Sequence, residues 1–242
     1  MRLGTNVAHT GEVVISNVSM ERNFPQYPLS PAARRLRMLR ARQEQTRRSP
    51  DDHATLLAEV LAHAGVEIVF DIHPHSCNIG VSLRQNGYRG RIVTIEPHRH
   101  AWEQLRYCSM ADDGWMLSHS LISHHDGVIL SSDEPLPLVS TRFESAVEVF
   151  CEEGETIAVC LSQADDGELL EEIIGCRYIR AISLACSVTE QIERAVTIES
   201  ALAILRRSNY DVVAVHSRQV EENRTAGAIA DVIAVRVPTG NW

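Results

Sequence analysis

The sequence predicts an α/β fold: a doubly wound, mostly parallel sheet of the seven-strand type, preceded by an N-terminal helical extension. Three observations predict it. Strand-like and helix-like segments alternate from Val66 to Arg207, the pattern of parallel strands joined by helical crossovers. Two further strand-like runs, 210–216 and 229–236, close the chain with no helix between them, which predicts an antiparallel hairpin. The 242 residues, 44% of them apolar, are enough for one α/β domain with a sizeable core.

Taken in order, residues 1–48 read as an extension and 49–242 as the main domain. The extension holds one strand-like run, Glu12 to Ser16, and then prolines at 25, 28 and 31 that interrupt regular structure. Ser30-Pro31 is a helix start, and Ala32 to Arg48 carries seven arginines with Leu36, Met38 and Leu39 as its apolar anchors. This segment reads as a solvated helix or as an arm that grips an acidic partner or a substrate phosphate. Ser49-Pro50 restarts a helix in which Leu56, Leu57, Val60, Leu61 and Ala64 share one apolar face, and Gly65 ends it. The sheet then begins with strand 66–72, helix 77–86, strand 91–95, helix 99–108 and strand 115–121. A strand-like run at 126–131 and a looser stretch to 142 follow. Helix 143–152, strand 156–161, helix 166–175, strand 178–186 and helix 197–207 lead to the closing pair.

Composition excludes several functions. A net charge of −9 argues against a chain that coats nucleic acid or an anionic membrane. All 23 basic residues are arginine, which removes a lysine Schiff base, a P-loop lysine and a lysine base. The six cysteines form no Cys-x-x-Cys pair and read as reduced thiols in a cytoplasmic protein. Apolar runs such as Ile179 to Val188 fall well short of the roughly 20 residues of a membrane span. Gly-x-Ser-x-Gly and His-Glu-x-x-His are both absent.

In a doubly wound sheet the ligand crevice lies beyond the carboxyl ends of the first strands, so residues 71–78 and 96–100 are expected to be neighbours. The stretch from Val69 to Pro97 holds a strand ending in Asp71, the loop His73-Pro74-His75-Ser76-Cys77-Asn78, a Gly87-Tyr88-Arg89-Gly90 turn, and a second strand ending in Glu96-Pro97. It resembles the FkbM-type methyltransferases, a branch of the S-adenosylmethionine (SAM)-dependent enzymes. There the first strand is followed by Asp-x-Gly-Ala-Asn-x-Gly. Here Asp71 is kept, His73 and Cys77 stand at the glycine positions, and His75 stands at the asparagine. Beyond Pro97 the resemblance runs to about 236 in weaker form: Leu121-Ile122-Ser123 replaces Ala-Leu-Gly, Gln163 remains of the Lys-Ile-Asp-x-Gln-Gly segment, and Ala185 stands where the family often has glutamate.

The resemblance implies a Rossmann-like SAM-methyltransferase fold, with Asp71 and Glu96 as cofactor-binding residues if SAM binds and Glu96 on the ribose hydroxyls. Its relatives O-methylate sugars and other hydroxyls in natural-product or glycan assembly. Glycine at the loop lets backbone approach the ligand. An imidazole at 73 is expected to fill that volume, and Pro74 to push His73 toward extended conformations. The expectation is therefore a methyltransferase homologue that does not bind SAM in the usual way, either noncatalytic or repurposed. An active O-methyltransferase with an unusual loop is the alternative, with Asp71, His73 or His75 as the base.

A third possibility comes from the histidines. His73 and His75, and likewise His98 and His100, are spaced so that each pair on an extended segment points one way. The four could hold a transition metal such as Zn, Cu, Fe or Ni; loop histidines are otherwise solvated or hydrogen-bonded groups. The expected associations are a protein partner such as another tailoring enzyme or methyltransferase, a small-molecule or sugar substrate if the chain is active, and a homodimer. Nucleic acid and a membrane span are not expected.

Overall fold

The computed structural model describes residues 52–74, 79–129, 137–162, 167–188, 196–222 and 225–237, with the side chains of 52 and 218–228 excepted. The arginine-rich segment, His75, Cys77 and Gln163 lie outside the described residues.

Helix α1 (Asp52–His63) leads into β1 (Ile68–Ile72), α2 (Ile79–Gln85), β2 (Arg91–Ile95), α3 (Arg99–Ser109) and β3 (Trp115–Ser118). Three short strands follow: β4 (Ser120–Ile122), β5 (Gly127–Ile129) and β6 (Leu138–Thr141). Then come α4 (Phe143–Phe150), β7 (Ile157–Leu161), α5 (Gly167–Gly175), β8 (Ile179–Ser187), α6 (Ile198–Arg207), β9 (Tyr210–Glu222) and β10 (Thr225–Arg236). The main sheet has seven strands in the order β3-β2-β1-β7-β8-β10-β9. Strands β3, β2, β1, β7 and β8 run parallel, and β10 is antiparallel to both β8 and β9. The predicted doubly wound sheet and closing hairpin are what the chain forms.

Two details differ from expectation. The strand predicted over 115–121 breaks at His119 into β3 and β4, and the run at 126–131 contributes β5 to a separate sheet of order β4-β6-β5. Strand β6, not anticipated, pairs with both neighbours there.

Strands β1 and β7 are buried at every position, as the continuous apolar runs Ile-Val-Phe-Asp-Ile and Ile-Ala-Val-Cys-Leu require of strands covered on both faces. One core layer, under α4, α5 and α6, contains Phe70, Phe143 and Ile182; the other, under α1 and α2, contains Leu57, Leu61, Val69 and Ile233. Gly65 ends α1 at φ 63°. Its N–H donates to Ala62 O (3.3 Å) and that of Val66 to Leu61 O (3.0 Å), the paired bonds of a left-handed helix stop. Gly87 (φ 88°) ends α2 in the same way, with Tyr88 N–H donating to Leu83 O (3.0 Å). Thr197 caps α6 by accepting from Ser200 N–H (3.2 Å).

Candidate functional site

The crevice is built where β1 and β2 end side by side. Their parallel register sets Asp71 against Thr94 and Ile72 against Ile95, and His73 N–H extends the ladder by donating to Ile95 O at 2.8 Å. Among the described residues, the end of β1 through His73 thus lies beside the end of β2.

His73 departs from the extended conformation expected before proline: its φ is 50°, in the left-handed region. The imidazole Nε2 accepts from Ile122 N–H at 3.3 Å. With its backbone held by Ile95 and its ring by Ile122, the residue is fixed at both ends, and tertiary bonds of this kind can outweigh a local preference of a few kcal/mol. The chain therefore makes a turn suited to glycine at a histidine, and the ring bridges from the end of β1 to β4.

Asp71 is wholly buried, and among the described residues neither carboxylate oxygen has a hydrogen-bond partner. Burial raises its pKa well above the ordinary carboxylate range, and the nearby Glu96 carboxylate adds to the rise. Its register neighbour on β7 is Cys160, whose thiol is likewise pushed well up, first by burial and then by Asp71. Glu96 is also fully buried; its Oε1 accepts from His98 N–H (2.8 Å), and its own N–H donates to Ser118 O (3.1 Å).

The supports around the crevice are tightly packed. Trp115 donates from Nε1 to Thr94 Oγ1 (2.9 Å), and its ring lies against Gly80 so closely that a Cβ there would sit 2.3 Å from Cζ2. Arg84 secures the Gly87 to Gly90 turn by donating from Nη1 to Tyr88 O (2.9 Å) and Gly90 O (2.7 Å) while Nε meets Asp112 Oδ2 at 2.5 Å. The turn and strands beside the loop are thus held by identifiable contacts.

Of the four candidate metal ligands, His73 is engaged by Ile122, and His75 lies outside the described residues. His98 and His100 are exposed, and His100 Nε2 lies 3.0 Å from Gln104 Nε2 on α3. His124 pairs with Glu172 at 3.2 Å. Among the described residues no group of three or more His, Cys, Asp or Glu is arranged to hold a metal ion. Along the outer side of α3 runs a groove of about 750 Å³ lined by Trp102, Arg106, Tyr107, Met110 and His119.

Sequence reasoning passed over His53. It falls on the apolar face of α1, at helical spacing from Leu57, Val60 and Ala64, and that spacing was the available signal. Its Nε2 lies 3.1 Å from Ser183 Oγ on β8, and its ring meets that of His216 on β9 edge-on, with centroids 5.8 Å apart.

No family model matches the chain, and no curated protein sequence does. Solved structures do. The Pyrococcus horikoshii protein PH1948, described as a candidate RNA methyltransferase, matches with TM-score 0.50 and 7% identity over 79% of this chain and 83% of its own. The N-terminal domain of EvdMO1 with SAH bound matches with TM-score 0.48 and 12% identity over 79% and 82%. The 1,6-didemethyltoxoflavin-N1-methyltransferase of Burkholderia thailandensis gives TM-score 0.46 and 13% identity over 88% and 94%. At such identities a likeness speaks for architecture alone. With its seven-strand order and the match to PH1948, the chain has an α/β, Rossmann-like methyltransferase fold.

Proposed function

We propose that this protein is an FkbM-like methyltransferase homologue that does not bind SAM in the usual way, either noncatalytic or repurposed, and related to enzymes that O-methylate sugars or natural products. The observation that carries the reading is His73. It keeps the left-handed turn of the first glycine position but places an imidazole between β1 and β4, bonded to Ile122 N–H. Backbone needs that space to approach a ligand closely. The burial of Glu96, whose Oε1 accepts from His98 N–H, supports the same view, because a ribose-binding carboxylate must be reachable from the crevice.

The retained turn and the position of Glu96 favour one alternative, an active O-methyltransferase with a rebuilt loop in which Asp71, His73 or His75 would serve as base. The third reading, a metal held by His73, His75, His98 and His100, is decided by metal content measured on protein purified without a histidine tag.

The test is calorimetric titration with SAM and with its demethylated product. The expected result is no binding by the native chain. In His73→Gly, with the turn kept and the ring removed, SAM is expected to raise the thermal midpoint, since a ligand selective for the folded state stabilises it. Micromolar SAM binding by the native chain would overturn the proposal and leave the active enzyme.

A further inference from the structure

We propose that the groove along the outer side of α3 is a docking site for this chain's own proline-spaced segment, Pro25 to Pro31, bound as a polyproline II strand. Helix α3 packs on β3, an edge strand of the main sheet. Its positions Leu105 and Ser109 are buried, whereas Tyr107 and Met110 are 81% and 70% exposed. With Trp102, Arg106 and His119 they line the groove of about 750 Å³. Trp, Tyr, Met and Arg are the residue types that protein interfaces favour, and one helix here presents all four together.

Trp102 organises the groove. Arg106 stacks over its ring at 5.8 Å, and the His119 ring lies 5.6 Å away at a tilt of 47°. His119 is fixed in turn by its Nε2, 3.0 Å from Pro97 O. The Trp102 Nε1 is buried and has no hydrogen-bond partner among the described residues, an uncommon state for an indole N–H. What suits this groove is an acceptor presented beside rings that pack on aromatic faces.

A proline-spaced strand has both. Pro25, Pro28 and Pro31, which lie outside the described residues, recur every three residues. That is the period of a polyproline II helix, so their rings line one edge, with successive rings about 9 Å apart. Such a strand makes no internal hydrogen bonds, which leaves its carbonyls to an outside donor, and it docks in aromatic-lined grooves. Trp102 and Met110 are about 12 Å apart along the axis of α3, so two successive prolines span the stripe. Charge selects this segment over its neighbour. Glu103, the acidic residue at the groove, is already paired with Arg99 at 3.0 Å, so the arginine-rich stretch 32–48 would meet the like charge of Arg106 instead. Reach is sufficient. Residues 32–51 join Pro31 to the start of α1; with 32–48 helical they span about 35 Å, roughly twice the radius of gyration, about 16 Å, of a domain this size.

The test compares the full chain, carrying ¹⁵N in its tryptophan indoles, with Pro25→Ala/Pro28→Ala/Pro31→Ala. Trp102→Phe and Trp242→Phe assign the signals, and Trp115, whose Nε1–H donates to Thr94 in the core, reports on the fold. The expected result is a shifted Trp102 signal in the triple variant with Trp115 unmoved. A capped peptide of residues 23–33, which carries no charged side chain, should return the Trp102 signal of that variant to its native position and leave the native chain unchanged. The same peptide with its prolines replaced by alanine should do neither. Tyr107→Ala, added to the triple variant, should weaken the peptide at least about tenfold, and high salt should alter its affinity little, since no ion pair is made. All samples lack SAM, so the outcome is independent of the cofactor reading. A Trp102 signal identical in the native chain and the triple variant, or one that the peptide leaves unmoved, would overturn the inference. So would sedimentation showing a native dimer that the proline substitutions dissolve, because the segment would then belong to a second copy.

Discussion

Asp71 concentrates the residue-scale tension of this molecule. It is the penultimate residue of a strand buried at every position, with no hydrogen-bond partner for either oxygen among the described residues. Desolvation, and to a lesser extent Glu96, hold its pKa well above the usual carboxylate range. Because the folded-state value lies above the unfolded one, its contribution to stability is intact below the unfolded pKa, about 4, and is lost as pH rises through the folded value. Asp71→Asn removes this titration. Denaturant unfolding of the two proteins across pH 4 to 8 should show the variant gaining on the native chain as pH rises, by about 1–3 kcal/mol overall. A constant difference across that range would mean that Asp71 is charged, and compensated, in the folded protein. The same residue illustrates what sequence can and cannot supply. Its position at the end of a strand was legible from Val69-Phe70-Asp71-Ile72, whereas the want of a partner depends on groups brought in by β2 and β7. His73 is the converse case. The local rule for a residue before proline was sound, but a bond to Ile122, 49 residues away, decided the outcome.

At the scale of elements, the small sheet and the helix beside it depend on one loop residue. Asp126, in the turn between β4 and β5, accepts from Arg142 N–H (2.9 Å) and Ser145 Oγ–H (3.0 Å) at the start of α4, and from Thr141 Oγ1–H (3.1 Å) on β6. Arg142 supplies no side-chain cap of its own, so the aspartate caps α4 from outside the helix. The Arg142 N–H chiefly, then the hydroxyls of Ser145 and Thr141, hold its pKa below the ordinary value. A depressed pKa gives stability that is present above the unfolded value and lost as pH falls through the folded one. Asp126→Ala should lower the melting temperature by a few degrees at pH 7, and the deficit should shrink in scans at pH 3; a deficit equal at both would place the effect elsewhere. None of this sheet was legible beforehand as a separate unit. Strands of three or four residues carry too little periodicity, and β5 is exposed at all three positions, so burial gave no alternation to read.

For the whole molecule, legibility followed burial. The strands that the sequence marked most clearly, Ile-Val-Phe-Asp-Ile and Ile-Ala-Val-Cys-Leu, are the two adjacent strands at which the sheet changes direction. Amide hydrogen exchange should accordingly be slowest in β1 and β7 and fast in β5, since opening them breaches the two core layers that share the sheet; rapid exchange in β1 would contradict a single cooperative core. The meeting of the β1 and β2 ends was legible from topology, because strand ends are fixed once strand order is, yet the chemistry there was only half visible. Glu96 announced itself by following a strand, while the contacts of His53 with Ser183 and His216 join residues 130 and more positions apart. The strand order has one more consequence, for the history of each molecule. Strand β10 is wedged between β8 and β9 and hydrogen-bonded to both. Until it inserts, β8 and β9 each lack a neighbour on the side it will occupy, and both are healed by one segment. Folding and self-association therefore compete over those edges, and the interval before β10 inserts is when the molecule is at its most adhesive.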